Sequence, residues 1–288
     1  MSSLLASELV LTPQGAVYHL GIKPEDLAHK VIVVGDQDRV ALVASFFDEI
    51  THKSQHREFA CQTGIYKGKR ITALSTGIGT DNIDIVVNEL DALVNIDLQT
   101  REEKAQQTSL DIVRIGTCGI LHADIPVGSF ILSTHALGID NVGHFYKRNQ
   151  SEEVKKLEQE IEKRVKLPQF VKPYLTEASP ALYTRLNSNK VESGITVTSS
   201  GFYGPQGRRL RIPLVEEGML DSFSDFSFEA YRMTNLEMEC SALFSISSAL
   251  GHQAIGICLG IANRRRKEFI SDYSTEMNEL VKYVLDRI

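Results

Sequence analysis

Apolar and polar positions along this chain follow two rhythms in turn. "KVIVVG" at residues 30–35 is a β-branched run closed by glycine, which predicts a buried strand and its exit turn. "QDRVALVASFF" then carries helical spacing, with Asp36 or Asp38 at the helix start. "FACQTGIYKGKRITALST" (59–76) predicts two strands joined at "KGK". In "DNIDIVVNELDALV" (81–94), Ile83, Val86, Val87, Leu90 and Leu93 share one face, as in an amphipathic helix. Further strands are predicted at 111–116, 128–134, 194–201 and the long apolar run 253–263. Helices are predicted at the charged stretch 151–166, the apolar stretch 241–250 and the C-terminal stretch 275–288. The polar residues 97–109 read as a surface loop.

Strands and helices interleave with no break in composition, no linker and no repeat. This predicts one α/β domain over residues 1–288, built around a mixed sheet. Sites in such folds gather on loops beyond strand ends.

Composition narrows the function. With 42% apolar residues the chain can bury a sizeable core. A formal net charge of -6 argues against general binding to nucleic acid or anionic membrane. No apolar run is long enough to span a bilayer, and "MSSLLASELV" lacks the basic start of a signal peptide. Cys61, Cys118, Cys240 and Cys258 lie far apart with no zinc spacing, which suits small core residues in a reducing cytoplasm. P-loop, dinucleotide-fingerprint, nucleophile-elbow and zinc-protease motifs are all missing.

Several short stretches carry candidate chemistry. In "VVGDQDR", Gly35 ends a strand and Arg39 follows in the next turn, a setting that suits an anion at a helix start. In "RIGTCG", Arg114 sits inside an apolar strand, where an unpaired cation is costly and an anionic partner is expected; Thr117 and Gly119 are read as its exit turn. In "QHREF", Arg57 lies beside His56 and Glu58; alone it fits a surface ion pair as readily. "TGIG" (76–79) reads as a tight turn before a phosphate nest. In "SSGFYGPQGRR" (199–209), Phe202 could stack on a planar ring while Gln206 and Arg208 bond its edge, and an ordinary polar turn fits equally. "NLEMEC" (235–240) puts Glu237 and Glu239 at the mouth of an apolar run, with Met238 between them. In an extended segment the two glutamates share a face and Met238 points away, so joint use of Met238 and Glu239 requires a bend.

In that order, "YHLG", "VGDQDR", "HREF", "STGIGTDN", "RIGTCG" and "FYGPQGR…EMEC" resemble the landmarks of the nucleoside phosphorylase-I superfamily, and within it the uridine-cleaving branch. The resemblance spans residues 17–264. It implies a distorted barrel-like mixed sheet surrounded by helices. It also implies reversible cleavage of uridine by inorganic phosphate as co-substrate, giving uracil and α-ribose 1-phosphate with no further cofactor. By matching positions, Gly35, Arg39, Arg114 and Thr117 would hold phosphate, joined by Arg57 from a neighbouring subunit. His19 would cross the same interface to the ribose 5′-hydroxyl. Met238 and Glu239 would hold the ribose, with Glu237 beside them. Gln206 and Arg208 would grip the uracil edge, with Phe202 on the ring and Arg264 near the base. Cys118 and Gly119 would line the wall. Glu58, Ile78 and Asn82 match a monovalent-cation (K+) position between subunits, although Asn82 replaces a serine of some relatives. Partners are then uridine, phosphate and a second copy, in a dimer or a hexamer of dimers. Leu236 stands where some bacterial members have Tyr. The basic run 264–267 reads as a solvated loop. A purine phosphorylase, a nucleosidase using water, and a non-catalytic nucleoside binder are the alternatives. The purine reading lacks the acid expected after the last core strand, where the chain reads "IANR".

Overall fold

A computed structural model describes residues 3–148 and 150–288. The N-terminal half runs β1 (Lys30–Val34), α1 (Gln37–Ala44), β2 (Glu49–His56), β3 (Phe59–Tyr66), β4 (Lys69–Ser75) and α2 (Thr80–Asn95). A small hairpin, β5 (Ile96–Asp97) and β6 (Glu102–Glu103), precedes β7 (Asp111–Ile120) and β8 (Phe130–Gly138). Then come α3 (Glu152–Arg164), β9 (Tyr174–Glu177), α4 (Pro180–Leu186) and β10 (Val191–Thr198). The chain finishes with α5 (Met219–Asp225), β11 (Ser227–Phe228), β12 (Tyr231–Glu237), α6 (Cys240–Ala249), β13 (Gln253–Asn263), β14 (Glu268–Phe269) and α7 (Ser274–Leu285).

All strands but β5 and β6 join one mixed sheet. Five of them close on themselves in the order β12, β10, β8, β13, β7, and the ring is completed by Asn235 and Leu236 of β12 against Ile120 and Gly119 of β7. The sheet continues outward from β7 through β1, β4 and β3 to the edge strand β2. This is the distorted barrel expected from the resemblance.

β7 is where the barrel and the open sheet part. Its first half, Asp111–Ile115, pairs with β1, and its last two residues pair with β12. The expectation that Thr117 and Gly119 form an exit turn is therefore corrected. β1 stops at Val34, but β13 continues to pair with β7 as far as Ile120, so the backbone groups of "GTCGI" stay in the ladder. Likewise, the polar stretch 97–109 is not all loop, since it contains β6. β2, which no alternation announced, is an edge strand whose "EITHKSQH" is mostly solvent-facing; such polarity protects an unpaired edge.

The main core lies between the sheet and the inner faces of α1, α2, α6 and α7. The predicted face of α2 is the buried one: Ile83, Val86, Val87, Leu90 and Leu93 are all shielded from water. α3 keeps its charges outward and buries only Val154, Leu157 and Ile161, at helical spacing. α6, apolar nearly all round, is buried from Cys240 to Ser247.

Candidate active site

A cavity of about 490 Å³ opens where β7, β12 and β13 meet the turns after β1 and β4. At one end, Asp36 caps α1, its Oδ1 accepting from the Arg39 N–H at 2.7 Å, and its Oδ2 pairs with Arg39 Nη2 at 2.9 Å. Gly35 and Arg39 line the cavity here, with Arg114 and Thr117 from β7. Arg114 is buried, and its guanidinium folds back over Gly116, where any Cβ would land on Nη1. The anionic partner that burial demands is present: Nη2 contacts Glu239, and Nη1 lies 3.5 Å from Glu237. Burial opposes the Arg114 charge, but these two carboxylates more than offset it and hold its pKa above the ordinary arginine value.

The bend required in "NLEMEC" exists. β12 ends at Glu237, Met238 and Glu239 leave the strand geometry, and α6 starts at Cys240. Glu237 makes the bend. Its carboxylate accepts from the Glu239 N–H at 2.9 Å, from the Cys240 N–H and from the Thr198 hydroxyl at 2.5 Å. A carboxylate at a helix start also suits the helix dipole. Glu239 is thereby turned into the cavity, where its Oε1 accepts from the Gly79 N–H at 2.8 Å. Gly79 has φ 103°, open to glycine but strained for other residues, and it caps α2. "TGIG" is thus both the tight turn and a donor to the site. Burial pushes the Glu239 pKa up, opposed by Arg114 and reinforced by Glu237.

The far end is formed by the 199–209 loop and the end of β13. Gln206 is buried and donates to Ser199 Oγ at 3.0 Å. Arg208 donates to the Phe202 carbonyl at 2.6 Å and to Gln206 Oε1, and its guanidinium lies 3.8 Å from the Phe202 ring centroid. Phe202 therefore stacks on Arg208, with half of its own surface exposed. Arg264 reaches the same space, and its buried Nη1 has no hydrogen-bond partner among the described residues. Burial, with Arg264 nearby, brings the Arg208 pKa down to about 10, and burial lowers that of Arg264. Among the described residues neither Arg208 nor Arg264 is paired with a carboxylate, so this end is prepared for negative charge. Met238, Gly119 and Cys118 complete the walls. Burial pushes the Cys118 thiol well above its ordinary pKa, with Cys258 and Glu237 adding to the rise; this is a wall residue.

The remaining expected residues lie elsewhere. His19 and Arg57 do not line the cavity; they belong to a cluster around Tyr18, where His19 is partly buried and exposed Arg57 stacks at 5.5 Å from the Tyr18 centroid. Glu58, Ile78 and Asn82 come together in a neighbouring open depression that shares Gly35, Asp36 and Ile78 with the cavity. Among the described residues no group of three His, Cys, Asp or Glu side chains converges on a metal position. The basic run is solvated as expected beyond Arg264, with Arg265 paired to Asp221 and Asp225, and Arg266 to Glu268. Asp36 at its helix start and Gly79 in "TGIG" carry a sequence signal but not their site roles, while Thr198 and Ser199, which support Glu237 and Gln206, carry none. A larger, mainly apolar hollow of about 1080 Å³ adjoins through Arg208, but it lacks the paired charges of the smaller cavity.

The phosphorylase superfamily model matches residues 29–286, and the chain belongs to that family. Within it, a uridine phosphorylase of Thermococcus kodakarensis is 29% identical over 275 residues, covering 93% of this chain and 85% of that protein. A uridine phosphorylase of Haemophilus influenzae is 28% identical over 271 residues, covering 91% and 92%. Among solved structures, a Trypanosoma brucei nucleoside phosphorylase described as showing uridine phosphorylase activity superposes with a TM-score of 0.89 at 29% identity, covering 97% of this chain and 98% of that one.

Proposed function

We propose that this chain is a uridine phosphorylase, a pentosyltransferase that converts uridine and phosphate reversibly to uracil and α-ribose 1-phosphate. The observation that carries the reading is the order of charge along one cavity: Arg39 and Arg114, then Glu239, then Gln206, Arg208 and Arg264. That sequence matches an anion, a vicinal diol and a hydrogen-bonding base edge, and three relatives of nearly full length carry this activity in their names or titles.

On this reading Arg39 and Arg114 hold phosphate, with Gly35 and Thr117 beside them. Phosphate attacks the anomeric carbon directly, so no protein nucleophile is needed. Glu239 accepts hydrogen bonds from the ribose hydroxyls, and Glu237 fixes the bend that presents it. Cleavage sends the bonding electrons into the uracil ring. Arg208, Gln206 and Arg264 face that developing charge, and donors matched to charge in the transition state lower the barrier. Binding frees Arg208 from Gln206 Oε1 and Arg114 from Glu239, so each substrate group replaces a contact of the open site.

The position of partly buried His19 and exposed Arg57 outside the cavity supports their action in a neighbouring subunit, with a homodimer as the smallest active unit and a hexamer of dimers as its extension. Inorganic phosphate is then the one co-substrate, with K+ a further ligand of the Glu58 depression. No helix among the described residues is long and apolar enough to cross a membrane, and a cytoplasmic enzyme of pyrimidine salvage accords with this.

A nucleoside panel assayed with and without phosphate, reading free base, tests the reading. Uracil release from uridine that requires phosphate is expected. Equal release without phosphate means a nucleosidase, faster release of purine bases means a purine enzyme, and binding without release means a non-catalytic protein.

A further inference from the structure

The cluster around His19 contains one buried-side carboxylate that none of the roles above uses. Glu89 sits in the third turn of α2, with 13% of its side chain exposed. Its Oε1 accepts from the His19 backbone N–H at 3.0 Å and lies 2.6 Å from His19 Nδ1. Its Oε2 accepts from the Leu20 N–H at 2.8 Å. Three donors therefore converge on one side chain, far more than a surface ion pair needs. A neutral imidazole whose Nδ1 faces an ionised carboxylate, which can only accept, carries its proton on Nδ1. Nε2 is left with its lone pair, and it makes no hydrogen bond among the described residues. The backbone and ring of His19 each have a further contact. His56 Nδ1 lies 2.9 Å from the His19 carbonyl, and the Tyr18 ring packs edge-on to His19 at 5.0 Å.

We propose that Glu89 is a positioning residue for the active site of the adjoining subunit. It fixes the tautomer and direction of His19, so that Nε2 accepts a hydrogen bond from the 5′-hydroxyl of the nucleoside bound there. The proposal rests on the uridine phosphorylase reading and on His19 crossing the subunit interface. A histidine oriented by a carboxylate on its other nitrogen is a recurrent arrangement, and the carboxylate acts by removing wrong tautomers and wrong rotamers.

Steady-state kinetics at pH 8, where a free imidazole is neutral, with uridine and 5′-deoxyuridine at saturating phosphate, test it. The second substrate lacks only the hydroxyl in question, so the ratio of the two kcat/KM values cancels general damage to the fold. Wild type should prefer uridine, and His19→Ala should lose that preference. Glu89→Gln should lower kcat/KM for uridine by about tenfold, the worth of one well-made hydrogen bond, while 5′-deoxyuridine stays within about twofold. His19→Ala/Glu89→Gln should be no worse than His19→Ala alone. Equal losses on both substrates would make Glu89 a structural tie for residues 17–22 and overturn the proposal, as would no loss on either. If His19→Ala keeps the wild-type preference, the placement of His19 fails first, independently of Glu89. If wild type leaves uridine intact, the functional reading itself fails.

Discussion

Glu239→Gln removes one charge and almost no volume, and its consequences can be worked out from the cavity. Arg114 faces two carboxylates, Glu239 in direct contact and Glu237 at 3.5 Å, and all three side chains are at most 6% exposed. The glutamine oxygen would stay on the Gly79 N–H, which turns the amide NH₂ toward Nη2, donor against donor. Removing one partner of a buried ion pair costs about 3–5 kcal/mol. Glu237 remains as counter-charge, so the lower end applies, about 3 kcal/mol. For a chain of this size each kcal/mol moves the melting temperature by about 2 °C, so Glu239→Gln should melt about 6 °C below wild type in a phosphate-free buffer. The same change should make phosphate a better stabiliser. On the proposed placement of phosphate, the anion must displace Glu239 from Arg114 in wild type, whereas in the variant it supplies the missing charge. Thermal scans with and without saturating phosphate should therefore show the gap closing by about half, the gain following the usual linkage of ligand to stability. A variant that melts within about 1 °C of wild type would refute the pairing argument. Equal phosphate shifts in the two proteins would refute the placement of phosphate at Arg114.

Two other outcomes are expected. Arg208→Ala should cut uridine cleavage by about 100- to 1000-fold, as loss of one preorganised donor does, while the melting temperature holds, because among the described residues Arg208 hydrogen-bonds within its own loop; near-normal turnover would remove the base-recognition argument. His135, buried on β8 beside Tyr231, has its pKa lowered to about 4 by burial, against a weak opposing pull from Glu153. The unfolded chain takes up this proton near pH 6.5 and the folded one resists until about 4, so stability is full above 6.5 and is lost as the pH falls through that window, about 2 kcal/mol by pH 5. His135→Asn should flatten the drop in urea midpoint between pH 7 and 5, and an unchanged drop would contradict this assignment.

What could be read from the chain follows from what each element buries. α2 and β13 are buried enough for their patterns to show, and β13 spans the predicted residues 253–263. β2 has water on both sides and no pattern to read. The end of β7 looked like a turn because "GTCG" is short and glycine-rich; what keeps it extended is pairing to β13 and β12, more than a hundred residues away in the chain. Site residues showed themselves through cost: a cation in an apolar strand at Arg114, carboxylates entering an apolar helix at Glu237 and Glu239. That these costs cancel each other is a tertiary fact. The order of landmarks, and not periodicity, supplied the roles. Glu89 left no mark, because a glutamate on the polar side of an amphipathic helix is what any solvated helix carries.

Helix α2 touches both ends of this arrangement. Its capping residue Gly79 donates to Glu239, and ten residues later Glu89 holds His19. At 1.5 Å per residue the two points are about 15 Å apart along a rigid rod. The constraint this places on the chain's history is one of length more than of composition. A single residue inserted or deleted between 79 and 89 would swing Glu89 by about 100° around the helix and part it from His19. Substitutions on the solvent side of the same stretch leave the spacing intact. This segment should therefore drift in sequence on its outer face and hold its residue count.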